Sequence, residues 1–175
     1  MEANESYLES VKKQFLYYKM LGEKAMDQLE AEQLFVPINE DTNSIATIIK
    51  HISGNMLSRW TDFLTSDGEK EWRNRDDEFE NEILSKAELL ALWEKGWQCL
   101  FDALDSIAEI PLDTIIYIRN EKHTLTEAIN RQLAHLPYHI GQIIYIAKMI
   151  EGENWQSLTI PKGASTLYNK GKLGQ

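Results

Sequence analysis

Four long stretches of this chain repeat their apolar residues at helical spacing, and that periodicity constrains the fold more than any other feature. Tyr7, Val11, Phe15, Tyr18, Gly22, Ala25, Met26 and Leu29 recur three or four apart, with acidic and lysine residues filling the opposite face, so an amphipathic helix is expected from about Ser6 to Leu34. Ile45, Ile48, Ile49, Ile52, Met56, Trp60 and Phe63 mark a second helix, capped by Asn43 or Ser44 and ending near the Ser66-Asp67-Gly68 turn. Leu89, Trp93, Gly96, Trp97, Leu100, Phe101 and Leu104 mark a third, opened by the capping box Ser85-Lys86-Ala87-Glu88. The fourth opens with Thr124-Leu125-Thr126-Glu127, runs through Ile129, Leu133, Leu136, Ile140, Ile143, Ala147 and Ile150, and closes at Gly152.

Four such helices predict an all-α protein, a four-helix bundle, in one domain covering residues 1–175. Between the second and third helices lies a long loop, Gly68 to Phe79, dense in charge; its Trp72 and Phe79 predict that it packs onto the domain through aromatics. Thr114 to Arg119, the turn-like Asn120-Glu121-Lys122 and His123 to Leu125 suggest a small β-hairpin before the fourth helix. The tail from about Asn154, with Pro161 and several glycines, reads as irregular.

Charge and cysteine usage narrow the function classes. A net charge of -10 without any Lys/Arg-rich block opposes contact with phosphate backbones, so no nucleic acid is expected as partner. No apolar run is long enough to span a bilayer, and the charged N-terminus has no signal-peptide core, so the expectation is a cytoplasmic protein off the membrane. Cys99 is the single cysteine; on a helical stretch it reads as a buried, inert thiol.

Chemistry points to the histidines. His135 and His139 stand i, i+4 in Arg131-Gln-Leu-Ala-His-Leu-Pro-Tyr-His-Ile-Gly-Gln142, which stacks two imidazoles on one face of a helix. His51, on the flank of the second helix, could complete a facial three-nitrogen site with a position left open for water or substrate, as in catalytic metal centres. Two partly exposed, unrelated histidines would show the same spacing. Pro137 between them removes the N–H that would bond the Leu133 carbonyl, a local inconsistency of the kind found at functional sites. His123 reads as a turn residue with ordinary surface chemistry. No carboxylate follows His135, and no Glu-x-x-His pair accompanies the three histidines, which opposes zinc-protease and di-iron chemistry. Phosphate-loop, dinucleotide and Gly-x-Ser-x-Gly signatures are absent.

The segments Thr47 to Asn55, Ser58 to Gly68 and His135 to Ile143 together resemble the DinB/YfiT-like superfamily of metal-dependent enzymes over most of the chain. The resemblance implies a four-helix bundle of that type, with one divalent metal ion, nickel or zinc, held by His51, His135 and His139. Three imidazoles and water also suit cobalt and copper. It further implies a low-molecular-weight thiol as cosubstrate, of the bacillithiol kind, an electrophile as its acceptor, and a homodimer; no catalytic residue is assigned. An open metal position lowers a thiol's pKa without a neighbouring base. Arg59, Lys70, Arg73 and Arg75 could then attract an anionic thiol, unless Asp62, Asp67, Glu69, Glu71, Asp76 and Asp77 neutralise them in the loop. The alternative, from a different class, is a metal-binding stress or interaction protein without turnover.

Overall fold

A computed structural model describes residues 2–79 and 85–173. Those residues are mostly helical, with five α-helices and one two-stranded antiparallel sheet: α1 Glu2–Met26, α2 Ile45–Trp60, α3 Lys86–Ser106, β1 Ile115–Ile118, β2 Glu121–Thr124, α4 Leu125–Glu151 and α5 Ser165–Leu173. α1 packs chiefly on α4 and α2 chiefly on α3; α2 also meets α4, and α1 meets α3. The apolar stripes meet in one core where Phe15, Ile49, Ile52, Trp97, Leu100, Leu136, Ile140 and Ile143 lose all contact with solvent. α2 and α3 approach closely at Gly96, where a Cβ would come within 2.9 Å of the Ser53 backbone.

Local chemistry explains most boundaries. Ser44, of the two candidates, caps α2 by accepting from the Thr47 N–H, and both capping boxes form reciprocally at Ser85/Glu88 and Thr124/Glu127. Gly152 ends α4 with φ of 55°, a backbone conformation that costs glycine little. α4 runs unbroken through Pro137.

Several expectations are corrected. α1 stops at Met26 and not at Leu34: the step from Leu29 to Leu34 breaks helical spacing, and Glu32–Phe35 form a separate 3-10 turn whose entry is fixed by Glu30 N–H donating to Gln33. α2 ends at Trp60, because Thr61 is extended and Asp62 adopts φ of 49°; Phe63 is still buried, which carried the apolar pattern past the true end. The hairpin turns at Arg119-Asn120, both at positive φ, so Glu121 and Lys122 belong to β2. His123 lies in the same strand opposite Ile116, and its Nε2 is buried without a hydrogen-bond partner. The tail is not wholly irregular, since residues 165–173 form α5.

The Gly68–Phe79 loop meets the expectation only in part: the Phe79 ring lies 5.9 Å from the His51 ring, but the side chains the loop buries are charged. Trp72 and Phe79 are exposed, at 60% and 50%, while Arg73 and Glu78 are buried. A second anchor is Asp67, whose carboxylate accepts the backbone N–H groups of Glu69, Arg119 and Asn120 and so ties the loop's start to the hairpin. Burial alone would raise the Asp67 pKa, but the three backbone donors outweigh it and hold the group below its ordinary value.

Candidate metal centre

The three histidines singled out by spacing come together. Helical geometry brings His135 and His139 onto one face of α4, with their Nε2 atoms 3.1 Å apart, and the α2–α4 contact carries His51 Nε2 to 3.3 Å from His135 Nε2. One ligand nitrogen from each lies within 4.8 Å of the others. A tetrahedral ion with metal–nitrogen bonds of about 2.0–2.1 Å would set its ligand nitrogens roughly 3.3 Å apart, close to the two distances from His135 Nε2.

The outer nitrogens decide what the inner ones present. His51 Nδ1 lies 3.0 Å from Glu78 Oε2, and His139 Nδ1 lies 2.8 Å from Gln142 Oε1. A carboxylate and an amide oxygen only accept, so the network assigns the proton in both rings to Nδ1 and leaves Nε2 as a lone pair. His135 Nε2 can then donate to at most one of its two neighbours. Two lone-pair nitrogens facing a third within hydrogen-bonding range is a poor arrangement for protons and a good one for a cation. Burial first, and then the neighbouring His139 and His51, push His135 down to about 3, and burial pushes His139 down as well. Both are therefore neutral imidazoles at neutral pH.

Glu78 is the residue that sequence reasoning missed. Its carboxylate takes Arg73 Nε at 2.7 Å and Nη2 at 3.0 Å while holding His51, and Arg73 Nη2 also reaches the His51 carbonyl at 3.5 Å. Burial pushes Glu78 up, but donation from His51 and Arg73 outweighs it and keeps the carboxyl below its ordinary value, hence ionised. The notch that admits this pair is Gly54 on α2, three residues beyond His51, where a Cβ would collide with Glu78 Oε1. Spacing could not flag Glu78, which sits in the acidic run Asp76-Asp77-Glu78 and looks solvated. The one signal was the glycine on the histidine-bearing helix face.

The four cations, Arg59 on α2 and three in the loop, divide. Arg73 is spent on Glu78, a partner outside the acidic set expected for it, Arg75 pairs with Glu69 at 2.6 Å, and Lys70 donates to Ser66 and to the Asp67 carbonyl. Arg59 differs: it is 6% exposed and lines a cavity of about 40 Å³ between α2, α4 and β1 that abuts His135. Burial, the largest influence, brings its pKa down to about 10, so it stays charged at neutral pH. Cys99 is half-buried beside Thr61, and burial raises its thiol pKa, as expected of an unreactive cysteine.

Among known proteins, a family model described as "Protein of unknown function (DUF1572)" matches residues 2–164. The chain belongs to that family. No curated protein and no solved structure matches it. The match spans every element of the imidazole cluster, including the loop that carries Glu78 and the α4 segment that carries Gln142. No helix among the described residues is long and apolar enough to cross a membrane.

Proposed function

We propose that this DUF1572 chain is a metal-dependent enzyme of the DinB/YfiT-like superfamily, its four long helices arranged as that superfamily's bundle. His51, His135 and His139 would hold one divalent ion, nickel or zinc, and a low-molecular-weight thiol would bind at the remaining position. The observation that carries the reading is the convergence of three Nε2 atoms, with the rings of His51 and His139 oriented from behind by Glu78 and Gln142. A bound divalent ion supplies Lewis acidity that lowers a thiol's pKa toward neutrality. Glu78 and Arg73 fix the plane of His51, and Gln142, itself donating to the Tyr138 hydroxyl at 3.2 Å, fixes His139. No side-chain base is needed: the thiol proton leaves to solvent, the sulfur forms a C–S bond to an electrophilic carbon, and the leaving group departs with its electron pair.

The test is to load the protein with zinc or nickel, incubate it with a panel of thiols and an aryl halide, and read the thioether by mass spectrometry. Conjugate in the wild type, lost in His139→Ala, supports transfer. Metal bound without conjugate across the panel favours the second reading, a binding protein without turnover. That reading has its own observation: Tyr138, Tyr145 and Met149 form an exposed stripe along α4, a face suited to a homodimer, which light scattering would reveal.

A further inference from the structure

The cavity beside His135 is lined by two arginines, the amides of Asn55 and Gln132, and apolar walls. Ile116, Ile118 and Trp60 close it, and no Asp or Glu lines it. Its polar groups are ordered by a buried chain. Trp60 Nε1 donates to Gln132 Oε1 at 3.3 Å, so the Gln132 amide nitrogen is turned to Asn55 Oδ1, also at 3.3 Å. The Asn55 amide nitrogen has no acceptor among the described residues. Arg59, more than nine-tenths buried, makes all its hydrogen bonds from Nη1, to the Gly68 carbonyl and to Glu69 at 3.4 Å. Glu69 is shared with Arg75 at 2.6 Å and Arg119 at 3.2 Å, so one carboxylate faces three guanidiniums. Arg131, one helical turn before His135, also lines the cavity and has no carboxylate partner among the described residues. In a chain of net charge -10, this is a local excess of positive charge around one cavity.

We propose that this cavity is a carboxylate-binding subsite, in which Arg59, Arg131 and the Asn55 amide grip one anionic end of the substrate. Its volume of about 40 Å³ leaves room for a carboxylate between the arginines. His135 belongs to both the cavity and the imidazole cluster, so an anchored molecule extends from the arginines toward the proposed ion. The substrate class becomes a small carboxylate-bearing thiol or acid. This deepens the metal-dependent reading and rests on it for what the far end of the molecule does. The cations that matter are Arg59 and Arg131, with Arg73, Arg75 and Lys70 engaged elsewhere.

The experiment is calorimetric titration of zinc-loaded full-length protein with 3-mercaptopropionate and its neutral counterpart 3-mercaptopropanamide. The acid should bind at least about tenfold tighter than the amide, and Arg131→Gln should abolish that preference. Arg131 is exposed, so this variant should fold; Arg59→Lys, which keeps the charge and loses the fork, should show a partial loss. Equal affinity of acid and amide for the wild type overturns the subsite, as does a preference that survives in both variants. If the protein takes no zinc, the metal-dependent reading fails by itself and the subsite is judged on the metal-free chain: propionate preferred over propanamide, and not in Arg131→Gln, upholds it, and no preference overturns it.

Discussion

The two halves of the imidazole cluster are built by different means. On α4, His135, His139 and the Gln142 that orients one of them lie within eight residues of a single helix, so the helical repeat alone sets their geometry. On the other side, His51 depends on tertiary docking: Glu78 arrives on a loop 27 residues away, is clamped by Arg73, and fits only because position 54 has no side chain. A helix-encoded half resists local change, whereas a loop-encoded half can be detached without unfolding the protein. If docking of the loop governs His51, metal affinity should respond to substitutions in the loop while helix content does not.

The largest effect is expected from the helix-encoded half. His139→Ala removes a ligand outright and should cost more than the roughly 100-fold in metal affinity that outer partners reach, read by competition with a chromogenic chelator. Next, Glu78→Gln keeps an acceptor for His51 but gives up the charge and the fork with Arg73; affinity should fall about 10- to 100-fold with an unchanged circular dichroism spectrum. An affinity equal to wild type would mean that His51 is held by its helix alone, and the contrast between the halves would collapse. Gly54→Ala should fall between wild type and Glu78→Gln, by roughly threefold to tenfold, since the added methyl displaces the Glu78 carboxylate without deleting it. The same methyl at Gly141 on α4, where a Cβ meets nothing, should leave affinity unaltered.

The smallest effect sharpens the loop's other anchor. Asp67→Asn can reproduce only one of the two acceptor oxygens and turns an amide donor toward a backbone donor, at a cost of about 1–2 kcal/mol in denaturant unfolding at pH 7. The wild-type Asp67 pKa is depressed on folding, so its contribution is present above the unfolded value of about 3.9 and is lost as pH falls through the lower folded value. The gap between wild type and Asp67→Asn should therefore narrow below about pH 4. A gap constant down to the acid transition would contradict the assignment.

What could be read from the sequence follows the same division. Both capping boxes, the hairpin, the four long helices and the His135/His139 pair come from local patterns, whereas His51, 84 residues from His135, was added from its place on a helix flank and the family resemblance. The overruns of α1 to Leu34 and of α2 to the Ser66–Gly68 turn arise because Leu29, Leu34 and Phe63 stay buried after the helix has stopped, and burial was what the pattern recorded. Glu78, Arg131 and the pairing of Arg73 with Glu78 were illegible for a different reason. Their significance lies in charge balance and enclosure, which depend on partners 5 to 27 residues away in sequence or on what lines a cavity, and a charged residue in a charged run carries no sign of being buried.

The measurement that bears most directly on the central claim is elemental analysis of tag-free protein beside the His51→Ala/His135→Ala/His139→Ala triple variant, each incubated with zinc or nickel and then desalted. The account predicts about one divalent ion per wild-type chain and none in the triple variant. Equal metal in both, or none in either, would contradict it and leave the three imidazoles as a polar cluster between α2 and α4.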